Sequence, residues 1–158
     1  MNKMLTVTTL AIITVTSISA AYADNIKNAD TMPYILSTNQ FPAGKATFVR
    51  HTIRIKMPPE SKGISEIAID VPSGVTVKND ITVHNRVGQP IEVNSSVNDS
   101  RITLDFPQGM VAQEVIEIDL NKVKLPRTYP LWLYRVYAKL VDSKTELSIG
   151  VAEVRTRI

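Results

Sequence analysis

Residues 47–57 alternate between two kinds of side chain. One face of this stretch carries Val49, His51, Ile53, Ile55 and Met57, and the other carries Arg50, Thr52, Arg54 and Lys56. A period of two residues is typical of a β-strand with one buried face. Pro58 and Pro59 follow and end the predicted strand, because proline lacks the amide hydrogen that a neighbouring strand needs.

Shorter runs of the same kind follow at nearly regular spacing. The predicted extended segments are residues 67–71, 75–77, 81–84, 91–93, 102–106, 116–120, 131–141 and 147–152. Turn-forming residues such as Pro72-Ser73-Gly74 and Asn94-Ser95-Ser96 separate them, and Gly150 indicates a bulge in the last one. About seven to nine short strands predict an all-β sandwich or barrel. No segment has a sustained helical period.

The beginning of the chain has a different character. Lys3 is the only charged residue before Asp24, an apolar run of 14 residues covers 5–18, and small residues end at Ala23. These are the three parts of a secretory signal peptide, and a membrane-spanning helix needs roughly 20 apolar residues. We therefore predict a cleaved signal peptide at residues 1–23, a flexible lead-in or a strand-poor edge segment at 24–45 and a β-sandwich domain at 46–158. The alternative is an uncleaved membrane anchor.

Composition restricts the chemistry of the mature chain. It contains no cysteine, which excludes disulfides, thiolate metal sites, a thiol nucleophile and a lipidated cysteine. Cleavage removes Lys3 and leaves 17 basic and 15 acidic residues, an excess too small to predict nucleic-acid binding. We also expect no stable membrane span after cleavage.

Few residues could carry catalysis or bind a metal. Imidazole and thioether groups suit copper, so His51, His84 and Met57 form one hypothetical site. The other interpretation is a hydrogen-bonded core histidine and a surface histidine. Glu117 and Asp119 share a strand face about 7 Å apart, but any alternating strand produces such a pair, so a solvated face is favoured over a glycosidase site. We predict no catalytic residue, no metal and no cofactor.

Residues 129–137 are the most distinctive stretch, because they hold the only tryptophan and three of the five tyrosines. If they were exposed, the rings of Tyr129, Trp132 and Tyr134 could stack on a sugar, and these three are the candidate binding residues. Apolar residues on both faces of this segment favour buried rings instead. The burial of Trp132 distinguishes the two interpretations.

Several motifs also carry a family resemblance. They are Gly88-x-Pro90, Ile102-Thr103-Leu104-x-Phe106-Pro107, the strand at 115–120 and the loop at 121–130 that leads into the aromatic segment. Over about residues 48–155 this order resembles an uncharacterised family of cyanobacterial exported proteins, a domain of unknown function. The Phe-Pro-x-Gly segment also looks like immunoglobulin-like modules of bacterial cell-surface proteins. The resemblance implies an immunoglobulin-like β-sandwich outside the cytoplasm and no catalytic residues.

These observations favour a non-enzymatic domain of the cell envelope that binds a protein or another envelope component. An open sheet edge could provide the docking surface, because its unpaired amides can accept a partner strand. A carbohydrate-binding module with exposed aromatic rings is one alternative, and a metal-binding or hydrolytic domain is another. Export would place the mature chain in the periplasm, at the cell surface or outside the cell, or in the thylakoid lumen of a photosynthetic organism.

Overall fold

The computed structural model describes residues 31–109, 115–126 and 130–157, and the predicted signal peptide lies outside them. The described residues form nine strands and no helix. The strands are β1 (Tyr34–Phe41), β2 (Val49–Lys56), β3 (Ile64–Asp70), β4 (Ile81–Asn85), β5 (Asn94–Asn98), β6 (Arg101–Asp105), β7 (Val115–Val123), β8 (Leu131–Leu140) and β9 (Glu146–Arg155). A search of this part of the chain for a long apolar helix of membrane-spanning type finds none.

Two antiparallel sheets pack face to face. One has the strand order β1-β2-β7-β4 and the other β5-β6-β3-β8-β9. Alternation decides which side chains meet between them: Ile53 and Ile55 of β2 are fully buried, while Arg54 and Lys56 turn outward. The largest fully buried side chains are Tyr134, Ile53, Ile55, Met57, Ile64, Ile67, Ile69, Ile102, Leu104, Ile116, Ile118 and Leu120. The prediction of an all-β, immunoglobulin-like sandwich is confirmed.

The predicted bulge in β9 is present. The pairing of β8 with β9 shifts register beside Gly150, which has a φ of 137°. A Cβ atom at this position would lie 3.3 Å from Cδ1 of Ile35 in β1. A glycine here therefore relieves backbone strain and also lets β1 and β9, the edge strands of the two sheets, approach each other.

Of the two interpretations of residues 24–45, the flexible lead-in is wrong over Tyr34–Phe41, which form the edge strand β1 and pair along β2. A bulge between Ile35 and Ser37 shifts the register of this strand, so its apolar residues do not keep a simple period of two. β1 is also an edge strand with many exposed positions. Both features hide the strand from a search for alternation.

The predicted polar turn Asn94-Ser95-Ser96 is also wrong, because these residues begin β5. Four of the five residues of β5 are polar, and none of the five is buried. The strand therefore lacks the alternation of apolar and polar residues from which the other strands were predicted. The segment predicted at 91–93 forms no named strand, and the one at 75–77 contributes only a bridge between Thr76 and Lys124.

The chain itself covers part of each sheet edge in the described structure. The bonds involved include Thr38 Oγ1 to the Glu153 carbonyl between β1 and β9, Ile91 N–H to the Val83 carbonyl beside β4, and Asn79 Nδ2 to the Ser95 carbonyl beside β5. Strand addition at the remaining backbone groups of these edges stays a prediction.

Candidate functional site

The two described members of the predicted aromatic trio are buried. Trp132 is 3% exposed and Tyr134 is fully buried, because both occupy inward positions of β8. The indole nitrogen of Trp132 donates to Oγ1 of Thr156 at 3.3 Å. Neither ring offers a face to a sugar, so these two residues are not a stacking surface. Tyr129 lies outside the described residues.

Four buried or half-buried side chains form a hydrogen-bonded chain between the two sheets. The hydroxyl of Tyr134 lies 2.6 Å from Nδ1 of His51, and Nε2 of His51 lies 3.1 Å from Oε1 of Gln40. Oγ1 of Thr156 donates to the same Gln40 oxygen at 2.8 Å. We call Gln40, His51, Tyr134 and Thr156 the polar clasp.

The geometry of the polar clasp fixes the position of the His51 proton. The amide nitrogen of Gln40 faces backbone carbonyls at 3.0 and 3.2 Å, so the Gln40 oxygen must accept and His51 donates to it from Nε2. Nδ1 then accepts from the hydroxyl of Tyr134. Burial lowers the pKa of His51 to about 4 and raises the pKa of Tyr134 above its usual value. His51 is a hydrogen-bonded core histidine.

The structure does not bring the hypothetical copper ligands together. Both ring nitrogens of His51 are engaged inside the sandwich, and Met57 is fully buried. His84 lies in β4 on the opposite side of the sheet from its buried neighbour Val83. Among the described residues, no group of three or more histidine and acidic side chains could hold a metal ion.

The outer face of the four-stranded sheet carries a row of basic residues. Arg50, Arg54 and Lys56 project from alternate positions of β2, and Glu117 projects from the neighbouring β7. Nε of Arg54 lies 2.6 Å from Oε2 of Glu117. We call the outward side chains of β1, β2, β7 and β4 the outer sheet face.

Asp119 on this face is only 6% exposed. Its Oδ1 accepts from the hydroxyl of Thr52 at 2.5 Å and lies 3.7 Å from Nε of Arg50, while its Oδ2 lies 3.7 Å from Nδ1 of His84. A buried carboxylate needs such partners, since its desolvation is costly. Glu117 and Asp119 are therefore both ion-paired with arginines. The predicted solvated face is wrong for Asp119, which is buried.

Large apolar side chains are exposed along the same face. Tyr34 and Leu36 lie at one end of β1, and Phe41 lies at the other end, where it is 64% exposed. The guanidinium carbon of Arg50 lies 5.6 Å from the centre of the Phe41 ring. Of the seven large apolar side chains exposed among the described residues, these three, together with Phe48 before β2 and Val87 after β4, belong to this sheet or its flanking loops.

A depression of about 400 Å³ crosses the outer sheet face at the end where β2 finishes. Its lining includes Tyr34, Leu36, Arg54, Lys56, Arg86 and Glu117. It runs across the strands, because the register places Tyr34 beside Lys56 and Lys56 beside Val115. We call it the cross-strand groove. It joins apolar side chains of β1 to basic side chains of β2 and of the turn after β4.

The outer face of the five-stranded sheet differs in how its charges are arranged. Arg101 lies 2.7 Å from Asp70 and 2.5 Å from Glu146, and Lys139 lies 3.1 Å from Glu66. These charges largely neutralise one another within the face. The groove and the larger share of exposed apolar side chains belong to the other sheet.

Sequence reasoning placed the β2 basic residues on a polar strand face but missed Tyr34, Leu36 and Phe41. The available signal was an apolar and aromatic segment bounded by Pro33 and Pro42, which could have indicated an edge strand. No sequence pattern around Arg86 predicts a binding role for it. Arg86 reaches the groove because β4 pairs with β7.

Comparisons with known proteins return similar folds and no close relative. No protein-family model matches the chain, and no curated protein matches it in sequence. The expected cyanobacterial family therefore has no support from these comparisons.

Solved bacterial structures share the fold. The N-terminal domain of the Streptococcus gordonii adhesin Sgo0707 is similar with a TM-score of 0.54 and 11% identity, over 82% of this chain and 33% of that one. BcpA, the major pilin subunit of Bacillus cereus, gives 0.52 and 14%, over 78% and 40%. A collagen-binding domain from a Staphylococcus aureus adhesin gives 0.49 and 14%, over 78% and 96%. At these identities the likeness to the Sgo0707 domain and to BcpA establishes the sandwich fold alone.

Proposed function

We propose that this chain is an exported, non-enzymatic domain of the cell envelope that binds a protein through its outer sheet face. The observation that carries the proposal is the exposure of Tyr34, Leu36 and Phe41 beside Arg50 and Arg54. Aromatic residues and arginine are enriched in protein interfaces, and clustered exposed apolar surface marks interaction sites.

The side chains that could have served in catalysis are engaged in structural contacts, which supports a non-enzymatic role. His51 is held within the polar clasp, and Asp119 and Glu117 are paired with basic side chains. The carbohydrate-binding alternative loses two of its three stacking residues, since Trp132 and Tyr134 are buried. The polar and apolar groups that stay exposed lie on a broad sheet face, which is the geometry of a binding surface.

Export is supported by the leader pattern at residues 1–23, and the like-folded pilin and adhesin domains are consistent with it. N-terminal sequencing of the protein from an envelope fraction tests this part. A mature chain that begins at Asp24 is the expected result. A full-length chain recovered from the cytosol would contradict it.

Site-specific photo-crosslinking in the producing organism tests the binding surface. The photoreactive residue p-benzoylphenylalanine replaces Phe41 on the outer sheet face or, as a matched control, Leu133, which is 47% exposed on the other sheet. We expect a discrete protein adduct from position 41 and a weaker or absent adduct from position 133. No adduct at position 41 would refute binding through this face.

A further inference from the structure

The charges of the outer sheet face favour a partner of one sign. Among the described residues of the outer sheet face, Arg50 and Arg54 of β2 lie beside the carboxylates of Asp119 and Glu117 on β7. The described lining of the groove contains three basic side chains, Arg54, Lys56 and Arg86, and one acidic side chain, Glu117.

One of those two carboxylates contributes little to the surface. Asp119 is 94% buried, and the Thr52 hydroxyl and the Arg50 and His84 side chains surround its oxygens. Arg50 and Arg54 nevertheless keep 48% and 40% of their side-chain surface exposed. A partner that approaches this face therefore meets mainly positive charge, which attracts carboxylates and repels basic surfaces.

The apolar side chains of the groove define the rest of the partner. Tyr34 and Leu36 form its β1 end and are 44% and 48% exposed. Four strands cover three inter-strand spacings, about 14 Å in all, which matches four to five residues of extended chain at about 3.3 Å each. An apolar residue and a carboxylate of one short segment can thus reach both ends of the groove.

We propose that the cross-strand groove binds an extended acidic segment of another protein, with an apolar side chain against Tyr34 and Leu36 and carboxylates towards Arg86 and the β2 basic row. This inference rests on the proposed function and names the chemistry of its partner. An anionic membrane or an acidic polysaccharide would satisfy the charges but would leave the apolar end of the groove without a matching group.

A binding assay with defined peptides tests the proposal. The probe is a fluorescein-labelled peptide of about ten residues that alternates Glu and Tyr, and its anisotropy is measured against the protein. One comparison peptide carries Lys in place of Glu, and another carries Ser in place of Tyr. We expect binding of the first peptide, no binding of the Lys peptide, and at least about tenfold weaker binding of the Ser peptide.

Paired variants locate the site. Leu36→Ala with Arg86→Gln should weaken binding of the Glu–Tyr peptide by at least about tenfold, whereas Leu133→Ala with Arg155→Gln should leave it unchanged. The control pair removes one exposed leucine and one exposed arginine from the other sheet. Tyr34→Ser alone provides a second groove variant, and equal thermal midpoints verify that each variant is folded.

Three results would overturn the inference. They are equal losses in both paired variants, failure of the Glu–Tyr peptide to bind, or stronger binding of polygalacturonate or of phosphatidylglycerol vesicles than of the peptide. The photo-crosslinking experiment separates this failure from that of the proposed function. If an adduct at position 41 persists in the Leu36→Ala, Arg86→Gln background, a protein partner exists but does not use the groove. If no adduct forms, the proposed function fails.

Discussion

We expect the free energy of unfolding to fall by about 3 kcal/mol as the pH drops from 6.5 to 4, because of His51. Its pKa is about 4 in the folded domain and 6.5 in an ordinary environment. Below pH 6.5 the unfolded chain therefore takes up a proton that the folded chain does not bind. The difference, at about 1.4 kcal/mol per pH unit, gives the expected loss. Above pH 6.5 this contribution is complete and constant.

Urea unfolding of the protein at pH 7, 6, 5 and 4 measures this loss. His51→Gln is the control, since glutamine can donate and accept but does not titrate in this range. Desolvation and the neighbouring Glu66 raise the pKa of Asp105, and protonation of that carboxyl acts in the opposite direction as pH falls. Comparison of the two proteins removes this opposing effect. Parallel pH profiles for wild type and His51→Gln would refute the role assigned to His51.

Tyr134→Phe tests the other end of the same hydrogen bond. The variant keeps the ring but removes the hydroxyl that lies 2.6 Å from Nδ1 of His51. A buried acceptor without its donor costs about 1–3 kcal/mol, so we expect a loss of that size at pH 7. The pKa of the His51 ring, followed by NMR, should also change. Unchanged stability and an unchanged His51 pKa would show that the hydroxyl does not serve this bond.

Three further predictions concern the rest of the sandwich. Gly150→Ala should lower the free energy of unfolding by about 2 kcal/mol, and by more than Gly88→Ala does. Both glycines have a positive φ, but only at Gly150 would a Cβ atom contact a β1 side chain. Equal losses of stability in thermal unfolding would contradict this. Asp119→Asn should cost about 1–3 kcal/mol and Glu117→Gln under about 1, and the reverse order in urea unfolding would refute the burial of Asp119. The fluorescence of Trp132, the only tryptophan, should resist acrylamide in the native state, and quenching as strong as in urea would contradict its burial.

The sequence predicts the strands that alternate against the core and fails at those that do not. β2 and β7 place an apolar residue at nearly every second position, so both were predicted. β1 is obscured by its bulge at Leu36, and β5 has no buried side chain. Alternation in the sequence indicates only that one face of a strand is buried. An edge strand can form without a buried face, because it is held by backbone hydrogen bonds to the neighbouring strand.

The candidate site could be predicted only in part, because the pairing register of separate strands brings its residues together. The sequence places Arg50, Arg54 and Lys56 on one strand face. It does not reveal that Tyr34 lies beside Lys56 or that β4 brings Arg86 to the same groove. For Trp132 the sequence favours burial, and in the structure this residue takes an inward position in β8.

The polar clasp couples proton uptake to the opening of the seam between the sheets. Gln40 and Thr156 are 116 residues apart in the chain, and the oxygen of Gln40 accepts from both His51 and Thr156. Separation of β1 from the end of β9 would remove a hydrogen-bond partner from the buried imidazole. Because acid favours any state in which this ring is exposed and protonated, acid would also favour that separation.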